Sequence, residues 1–211
     1  MQIRIDCRNE EEWLAERYNH IGGSDCAALL GISKWKSNVD LYREKVGAVR
    51  RVVTNEAIEL GKRAEPALRE LYSAYNPEMT VDYHQYTVIY QEELPFIAST
   101  LDGELTDGFG RKGILEIKTA LLSKRSQWDE WDERIPYHYL TQVLHQMIST
   151  GYEFVDLYAC LSGIDGNCAI RTYRFEREDH VEDIAWLIGK ETEFWGYVQR
   201  KQMPPLILAI S

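Results

Sequence analysis

The residues with the clearest chemical potential lie in the segment Leu101–Thr119. Asp102 is followed after thirteen residues by Glu116 and, two positions later, by Lys118. Apolar neighbours predict a short strand here, on which residues two apart point to the same face. Two carboxylates can hold a divalent cation, and a nearby lysine can orient or deprotonate a water or stabilise developing negative charge. The spacing therefore suggests a metal-dependent phosphodiesterase site, although it also occurs in an ordinary solvated Glu–Lys pair.

The composition is typical of a soluble globular protein. The 211 residues are 45% hydrophobic and 27% charged, which suits one domain with a sizeable core. No apolar run approaches the ~20 residues that span a bilayer, and the start, MQIRIDCRNEEEW, lacks the apolar centre of a signal peptide. We expect a cytoplasmic protein without membrane contact. The four cysteines show no CxxC spacing and the histidines are scattered, which argues against a zinc ribbon, an iron–sulfur cluster or a ββα-metal nuclease.

The charge is distributed unevenly along the chain. A net charge of −10 argues against a nonspecific nucleic-acid coat protein but does not exclude a DNA enzyme. Between Lys34 and Arg69, nine basic residues face five acidic ones, a local balance of +4. Acidic residues concentrate in 128–134 and 175–184. This asymmetry fits a positive groove on one face, and it fits surface scatter equally well.

The first third of the chain reads as helical. Helices are predicted at 9–18, capped by Asn9, at 24–30, at 38–47, capped by Asn38, and at 55–76, where Pro66 should kink or divide the helix. Gly22 and Gly23 precede a helix start at Ser24 or Asp25. Free backbone N–H groups there could cradle an anion, or the segment could be a plain N-cap. Glu65 lies among basic residues and on its own reads as a surface ion pair.

Strands are predicted next, at 79–90, 96–103 and 113–119, as an antiparallel meander. Asp102 then falls late on the second strand, with Glu116 and Lys118 on the third, and hairpin partners can bring such side chains within a few ångströms. A helix at 121–131, an amphipathic helix at 137–150, a hairpin of 154–162 with 168–175, and a helix at 179–201 follow. We expect one domain, 1–211, with a helical N-terminal part, 1–76, and a catalytic sheet with helices, 77–211.

Several segments together resemble one family. HIGGSDCAALLGISKWKSNVDLYREKVG, GKRAEP, STLDG, LEIKTA and YLTQVLHQMISTG occur in the order found in the YqaJ-type viral recombinases, the family of phage lambda exonuclease. The resemblance implies the α+β class, as an α/β/α sandwich with a restriction-endonuclease-like core and a mixed central β-sheet flanked by helices. It implies a PD-(D/E)XK nuclease site, in which Leu101 here replaces the proline before Asp102.

The resemblance also assigns roles to residues. It implies catalytic roles for Asp102, Glu116, Lys118, Glu65 and Gln142. It implies that Asp102 and Glu116 bind metal, with the carbonyl of Ile117 as an extra ligand. It implies that Arg17 and Ser24 form a pocket for a 5′-phosphate. It implies that Gly23, Ile58 and Lys62 contact DNA.

The activity that the resemblance implies is a metal-dependent 5′→3′ exonuclease. It would degrade one strand of linear double-stranded DNA and leave 3′ single-stranded tails for recombination by strand annealing. Two Mg²⁺ ions are the expected cofactors, for which Mn²⁺ should substitute. The expected partners are double-stranded DNA ends, two further copies in a homotrimeric ring, and a single-strand annealing protein. The alternatives are an endonuclease or repair nuclease of the same fold, and an inactive DNA-binding accessory module.

Overall fold

The structure is a computed structural model that describes residues 1–49, 55–132, 134–164 and 166–208. Arg50 and Arg51 of the basic stretch, Asp165 of the predicted hairpin turn, and 209–211 of the tail lie outside the described residues. None of the helices in the described ranges has the length and apolar character needed to cross a bilayer.

Helices and strands alternate along the chain. The helices are α1 (Glu10–Tyr18), α2 (Cys26–Leu29), α3 (Asn38–Lys45), α4 (Glu56–Tyr75), α5 (Arg125–Asp129), α6 (Tyr137–Thr150) and α7 (Val181–Gln199). The strands are β1 (Gln2–Asp6), β2 (Thr80–Asp82), β3 (Thr87–Gln91), β4 (Ala98–Ser99), β5 (Gly103–Thr106), β6 (Lys112–Leu122), β7 (Phe154–Gly163) and β8 (Cys168–Glu176). Short 3₁₀ turns cover Gly23–Asp25 and Arg177–His180.

The central sheet is mixed and has the strand order β2-β5-β6-β7-β8. Strands β6 and β7 pair in parallel over ten positions, and the other neighbours pair antiparallel. A smaller antiparallel sheet has the order β1-β3-β4. Since a parallel connection needs a long crossover, α5 and α6 fall between β6 and β7.

Helices cover both faces of the central sheet, as the resemblance implied. On one face, Leu68 and Tyr72 of α4 pack against Leu115 and Ile117 of β6. On the other, apolar residues of α6 and α7 pack against Ile114 and the inward side chains of β7. Because successive strand residues alternate between faces, Glu116 and Lys118 lie on the α6 side.

Most of the predicted helices are confirmed. Helix α6 has the predicted bounds and ends at Gly151, whose φ is +73°. Asn9 caps α1 by accepting a hydrogen bond from the N–H of Glu12. The predicted cap of α3 is wrong, since Ser37 and not Asn38 caps it, through the N–H of Asp40. Helix α4 continues through Pro66, so of the two predicted effects, a kink or a division of the helix, the division does not occur.

The predicted meander is wrong in its connectivity. The segment 79–90 forms two strands in different sheets, separated near Tyr86, whose φ is +62°. The segment 96–103 likewise contributes β4 to the small sheet, while β5 begins only at Gly103. The N-terminal part also contains β1, which the sequence analysis missed. It pairs with β3, and such a pairing between distant segments leaves no local signal.

The helix predicted at 121–131 is too long. Strand β6 continues to Leu122 because each of its residues from Gly113 onward has a partner on β7. Only Arg125–Asp129 forms α5. Tertiary pairing therefore overrides the local preference of this apolar segment.

Close packing of β6 on β7 leads to a test. A Cβ added at Gly113 would lie 2.1 Å from Cε2 of Phe154, whereas a Cβ at Gly108 would have no heavy atom within 4 Å. We expect Gly113→Ala to lower the free energy of unfolding by about 1–3 kcal/mol or more. Gly108→Ala, as control, should change it by less than about 0.5 kcal/mol. Urea denaturation measures both, and equal effects would contradict this account of the β6–β7 contact.

Candidate active site

The candidate site opens where β5 stops pairing with β6. The ladder between these strands ends at the pair Gly103–Leu115, while β6 continues beside β7. The N–H of Ile117 lies just beyond that end and donates to Oδ2 of Asp102 at 2.8 Å. Asp102 therefore takes the place of a strand partner for Ile117.

Glu116 is the centre of the site. It is 2% exposed, and its carboxylate accepts three hydrogen bonds. Gln142 Nε2 and Lys118 Nζ donate to Oε1 at 2.6 and 2.5 Å, and Gln146 Nε2 donates to Oε2 at 2.5 Å. The predicted shared face of Glu116 and Lys118 is confirmed by this contact.

Gln146 was missed as a site residue. It follows Gln142 by one helical turn, and residues four apart share a helix face, so its position was available from the sequence. Only the fold shows that α6 directs this face at Glu116. Its Oε1 is buried and lacks a hydrogen-bond partner in the described part of the chain.

Three carboxylates repel one another here. Burial, with the charges of Glu116 and Glu65, raises the pKa of Asp102 well above its usual range. Burial and Glu116 likewise raise the pKa of Glu65 on α4. Burial opposes the charge of Lys118, but Glu116 and Asp102 outweigh it and raise the pKa of that ammonium. Lys118 is therefore cationic at neutral pH, but its charge does not outweigh the burial and the neighbouring carboxylates that raise the pKa values of Asp102 and Glu65.

Excess negative charge on oxygen ligands fits a divalent cation such as Mg²⁺ or Mn²⁺. Asp102 and Glu65 supply carboxylates whose ionised form is disfavoured until an opposite charge is near. A different group of ligand-type residues, fully buried, brings Cys26, His145 and Glu191 within 4.8 Å of one another. The carboxylates at the candidate site do not form so tight a group among the described residues.

Arg69 is a second missed residue. Its Nε donates to the carbonyl of Asp102 at 2.6 Å, and its guanidinium lies 3.7 Å over the ring of Tyr83. It is four residues from Glu65 on α4, which places both on the face directed at the gap. The sequence offered this spacing, but the partner atom is a backbone carbonyl that no motif reveals.

The segment Gly22–Asp25 forms the predicted loop beside α6. Its buried Asp25 pairs with Lys36 at 3.0 Å and Lys45 at 2.8 Å. Burial opposes the charge of that carboxyl, but the two lysines hold its pKa well below its usual range. These pairs use part of the basic excess of 34–69, so the predicted positive groove is weaker than the count suggests.

The other residues predicted for the phosphate pocket, Arg17 and Ser24, lie at this loop. Ser24 is exposed at its tip, and Arg17 approaches it from the end of α1, with Nη2 4.0 Å from the position of an added Cβ on Gly22. A Cβ on Gly23 would lie 2.9 Å from Cγ of Gln142. The absence of a side chain at Gly23 therefore lets the loop touch the helix that holds Glu116.

The predicted DNA-contact residues of α4 lie farther out. Ile58 is 38% exposed in the first turn of the helix. Lys62 Nζ lies 4.0 Å from the carboxylate of Glu10, and its charge opposes the rise in the pKa of Glu65. Lys62 is thus near the carboxylates, whereas Ile58 extends the same helix toward solvent.

Residues 12–153 match the family model described as the YqaJ-like viral recombinase domain. The chain belongs to this family. The YqaJ relative from Bacillus subtilis (strain 168), described as an uncharacterized protein, is 30% identical over 189 residues. That match covers 89% of this chain but 56% of the relative, so the chain spans about half of the relative's length.

Solved structures support the same fold for this YqaJ-like domain. The alkaline exonuclease LHK-Exo from Laribacter hongkongensis is 20% identical, with a TM-score of 0.68 over 90% of this chain and 93% of that one. Its complex with dAMP is 19% identical, with a TM-score of 0.65 over 90% of this chain and 95% of that one. A phage related exonuclease from Haemophilus somnus 129PT is 13% identical, with a TM-score of 0.56 over 86% of this chain and 95% of that one. The predicted restriction-endonuclease-like fold is confirmed.

The electrostatics predict a pH-dependent gain from Asp102→Asn. Because the folded protein disfavours ionised Asp102, wild type loses stability as pH rises from about 4, the usual value, through the raised pKa. We expect the variant to melt several degrees higher than wild type at pH 8 and equally at pH 3, since each pKa unit is about 1.4 kcal/mol. For a chain of this size 1 kcal/mol shifts Tm by about 2–4 °C. Calorimetry between pH 3 and 9 measures this.

Asp107→Asn is the matched control. Burial opposes its charge too, but Arg111 lowers the pKa of Asp107, so its substitution should reduce Tm at pH 8. Mg²⁺ should raise the Tm of wild type but not of Asp102→Asn. A lower Tm for Asp102→Asn at pH 8 would show that repulsion is not the dominant effect at the site.

Proposed function

We propose that this chain is a metal-dependent 5′→3′ exonuclease acting on linear double-stranded DNA. One observation carries the proposal: Gln142 contacts both Glu116, among the acidic residues, and Gly23, in the anion-binding type of loop. The residues proposed to cleave the phosphodiester and those proposed to bind the terminal phosphate are then positioned by the same helix, α6. The exonuclease names of the structural neighbours support the same class of reaction.

Asp102, Glu116 and the carbonyl of Ile117 would hold Mg²⁺, with Glu65 beside them. Two such ions would supply a water of lowered pKa and positive charge near the departing oxygen. A cation there would also favour the ionised forms of Asp102 and Glu65, whose pKa values are raised by burial and by neighbouring carboxylates. Mn²⁺ offers the same preference for oxygen ligands.

Lys118 acts as a cation in this scheme. Its raised pKa keeps it protonated at neutral pH, so it donates hydrogen bonds and does not remove a proton. From Glu116 it can reach the attacking water and the charge that develops on the phosphate. Gln142 and Gln146 orient the Glu116 carboxylate, each on a different oxygen.

The end of the strand is recognised by the segment from Arg17 to Asp25. Arg17 supplies a planar pair of donors suited to a phosphate. Ser24 adds an exposed hydroxyl, and the turn at Gly23 adds backbone N–H groups. A 5′-phosphate held there places the next phosphodiester near the carboxylates, which gives the enzyme its direction.

The proposal extends to assembly and to the recombination role. Three copies in a ring around the duplex, producing 3′ tails for a single-strand annealing protein, would need a positive surface only inside the ring, despite the net charge of −10. Light scattering tests the assembly, with three times 24.6 kDa as the expected mass.

Substrate ends provide the main test. With Mg²⁺, we expect fast degradation of a 5′-phosphorylated linear duplex, slower degradation of the 5′-hydroxyl duplex, and none of a closed circle. Arg17→Ala and Ser24→Ala should each reduce the ratio of the degradation rates of the 5′-phosphate and 5′-hydroxyl duplexes by about 10- to 100-fold, which is the cost of a lost charged hydrogen bond. Arg200→Ala, at the end of α7, is the control and should leave it unchanged. Cleavage of the circle would indicate an endonuclease instead.

Lys118→Ala tests the chemistry separately from binding. We expect kcat to fall by about 10²–10³-fold, as when a donor to developing charge is removed, with KM changed little. Asp102→Ala should abolish cleavage and keep DNA binding in a gel-shift assay. Activity retained by Asp102→Ala would refute the proposed site and would favour a different location for the chemistry.

A further inference from the structure

An exposed aromatic residue stands beside the candidate site. Trp35, in the turn between α2 and α3, is 73% exposed. Its ring meets that of His138 edge to face, with centroids 5.6 Å apart. The ring centroids of His138 and Tyr139 are 4.1 Å apart, and the Tyr139 ring centroid lies 5.2 Å from Lys118 Nζ. A row of rings therefore leads from Lys118 to the surface.

The backbone of Trp35 is anchored to the candidate phosphate loop. The Ser33 hydroxyl accepts hydrogen bonds from the N–H groups of Trp35 and Lys36, at 3.2 and 3.3 Å. The Lys36 ammonium pairs with Asp25, the neighbour of Ser24, at 3.0 Å. The turn is thus held between the loop and the row of rings, while the Trp35 ring remains in solvent.

Positive charge borders this ring. Lys34 is exposed and takes part in no ion pair within the ranges the structure describes. Burial, Lys34 and Lys118 together lower the pKa of His138 against the opposing charge of Glu130, so its ring is neutral at pH 7. A flat apolar surface next to lysines suits single-stranded nucleic acid, whose bases stack and whose phosphates are anionic. The connection of this ring to Lys118 through His138 and Tyr139 favours this occupant over a protein partner.

We propose that Trp35 stacks on the base of the terminal nucleotide of the strand being degraded. The inference rests on the proposed exonuclease function and adds a base contact to it. The loop at Ser24 holds the 5′-phosphate of that nucleotide, and Trp35 holds its base out of the duplex. Stacking tolerates every sequence because each base has a π-face. Trp35 is therefore a positioning residue that keeps the next phosphodiester at Glu116.

The test pairs a protein variant with an altered substrate. Two 5′-phosphorylated duplexes differ only in the terminal nucleotide, which is normal in one and abasic in the other. We expect Trp35→Ala to raise KM about 10-fold on the normal duplex, the range of one stacked base, and to leave kcat nearly unchanged. On the abasic duplex wild type and Trp35→Ala should have the same KM. Trp35→Phe should keep the KM on the normal duplex close to that of wild type, because a phenyl ring still stacks. Phe109→Ala removes a ring that is 93% exposed on a distant turn and should not change the KM.

Two results would overturn the inference: an equal rise in KM on both duplexes, or no rise on either. Equilibrium binding of the same duplexes in EDTA gives a readout without cleavage. If wild type degrades neither duplex, the proposed function fails, while the loss of base-dependent binding in Trp35→Ala still decides the stacking contact. Thermal melting of Trp35→Ala checks that the fold is intact.

Discussion

The burial of the Glu116 carboxylate is the constraint on which the site depends. A charge taken out of water costs several kcal/mol unless it is paired and hydrogen-bonded. Here Lys118, Gln142 and Gln146 meet that requirement from two elements, β6 and α6. The crossover helix must therefore lie over β6 with one particular face inward, and the parallel pairing of β6 with β7 holds the strand under it.

The other acidic residues near Glu116 are unfavourable for stability, although they are the residues proposed for function. Glu116 is compensated, but burial and the charges of neighbouring carboxylates raise the pKa values of both Asp102 and Glu65. By contrast, the buried carboxylate of Glu104 accepts hydrogen bonds from Arg4 and Tyr152. Uncompensated charge confined to one gap in the sheet is what a catalytic metal site requires and what an ordinary core avoids.

Local pattern was enough to predict the elements that hold the candidate site. The period of 3.6 residues gave α6 its bounds, and the period of two put Glu116 and Lys118 on one face. Pairing between distant segments could not be predicted. The residues near Tyr86 do not indicate that β2 and β3 belong to different sheets. The hydrogen bond from Arg69 to the carbonyl of Asp102 likewise has no sequence motif. The resemblance supplied Glu65, which local reasoning would have left as a surface residue.

Helix α6 links the parts of the site because three of its residues share one face. Gln142 holds Glu116 and touches Gly23, and Gln146 holds Glu116 again. His145, between them, donates from Nε2 to the carbonyl of Ala98 and pairs through Nδ1 with Glu191 of α7. Burial opposes the charged form of His145, but Glu191 raises the pKa of its imidazole above the usual value. The distance from the candidate phosphate loop to the carboxylates is thus set by one helix that is hydrogen-bonded to its neighbours.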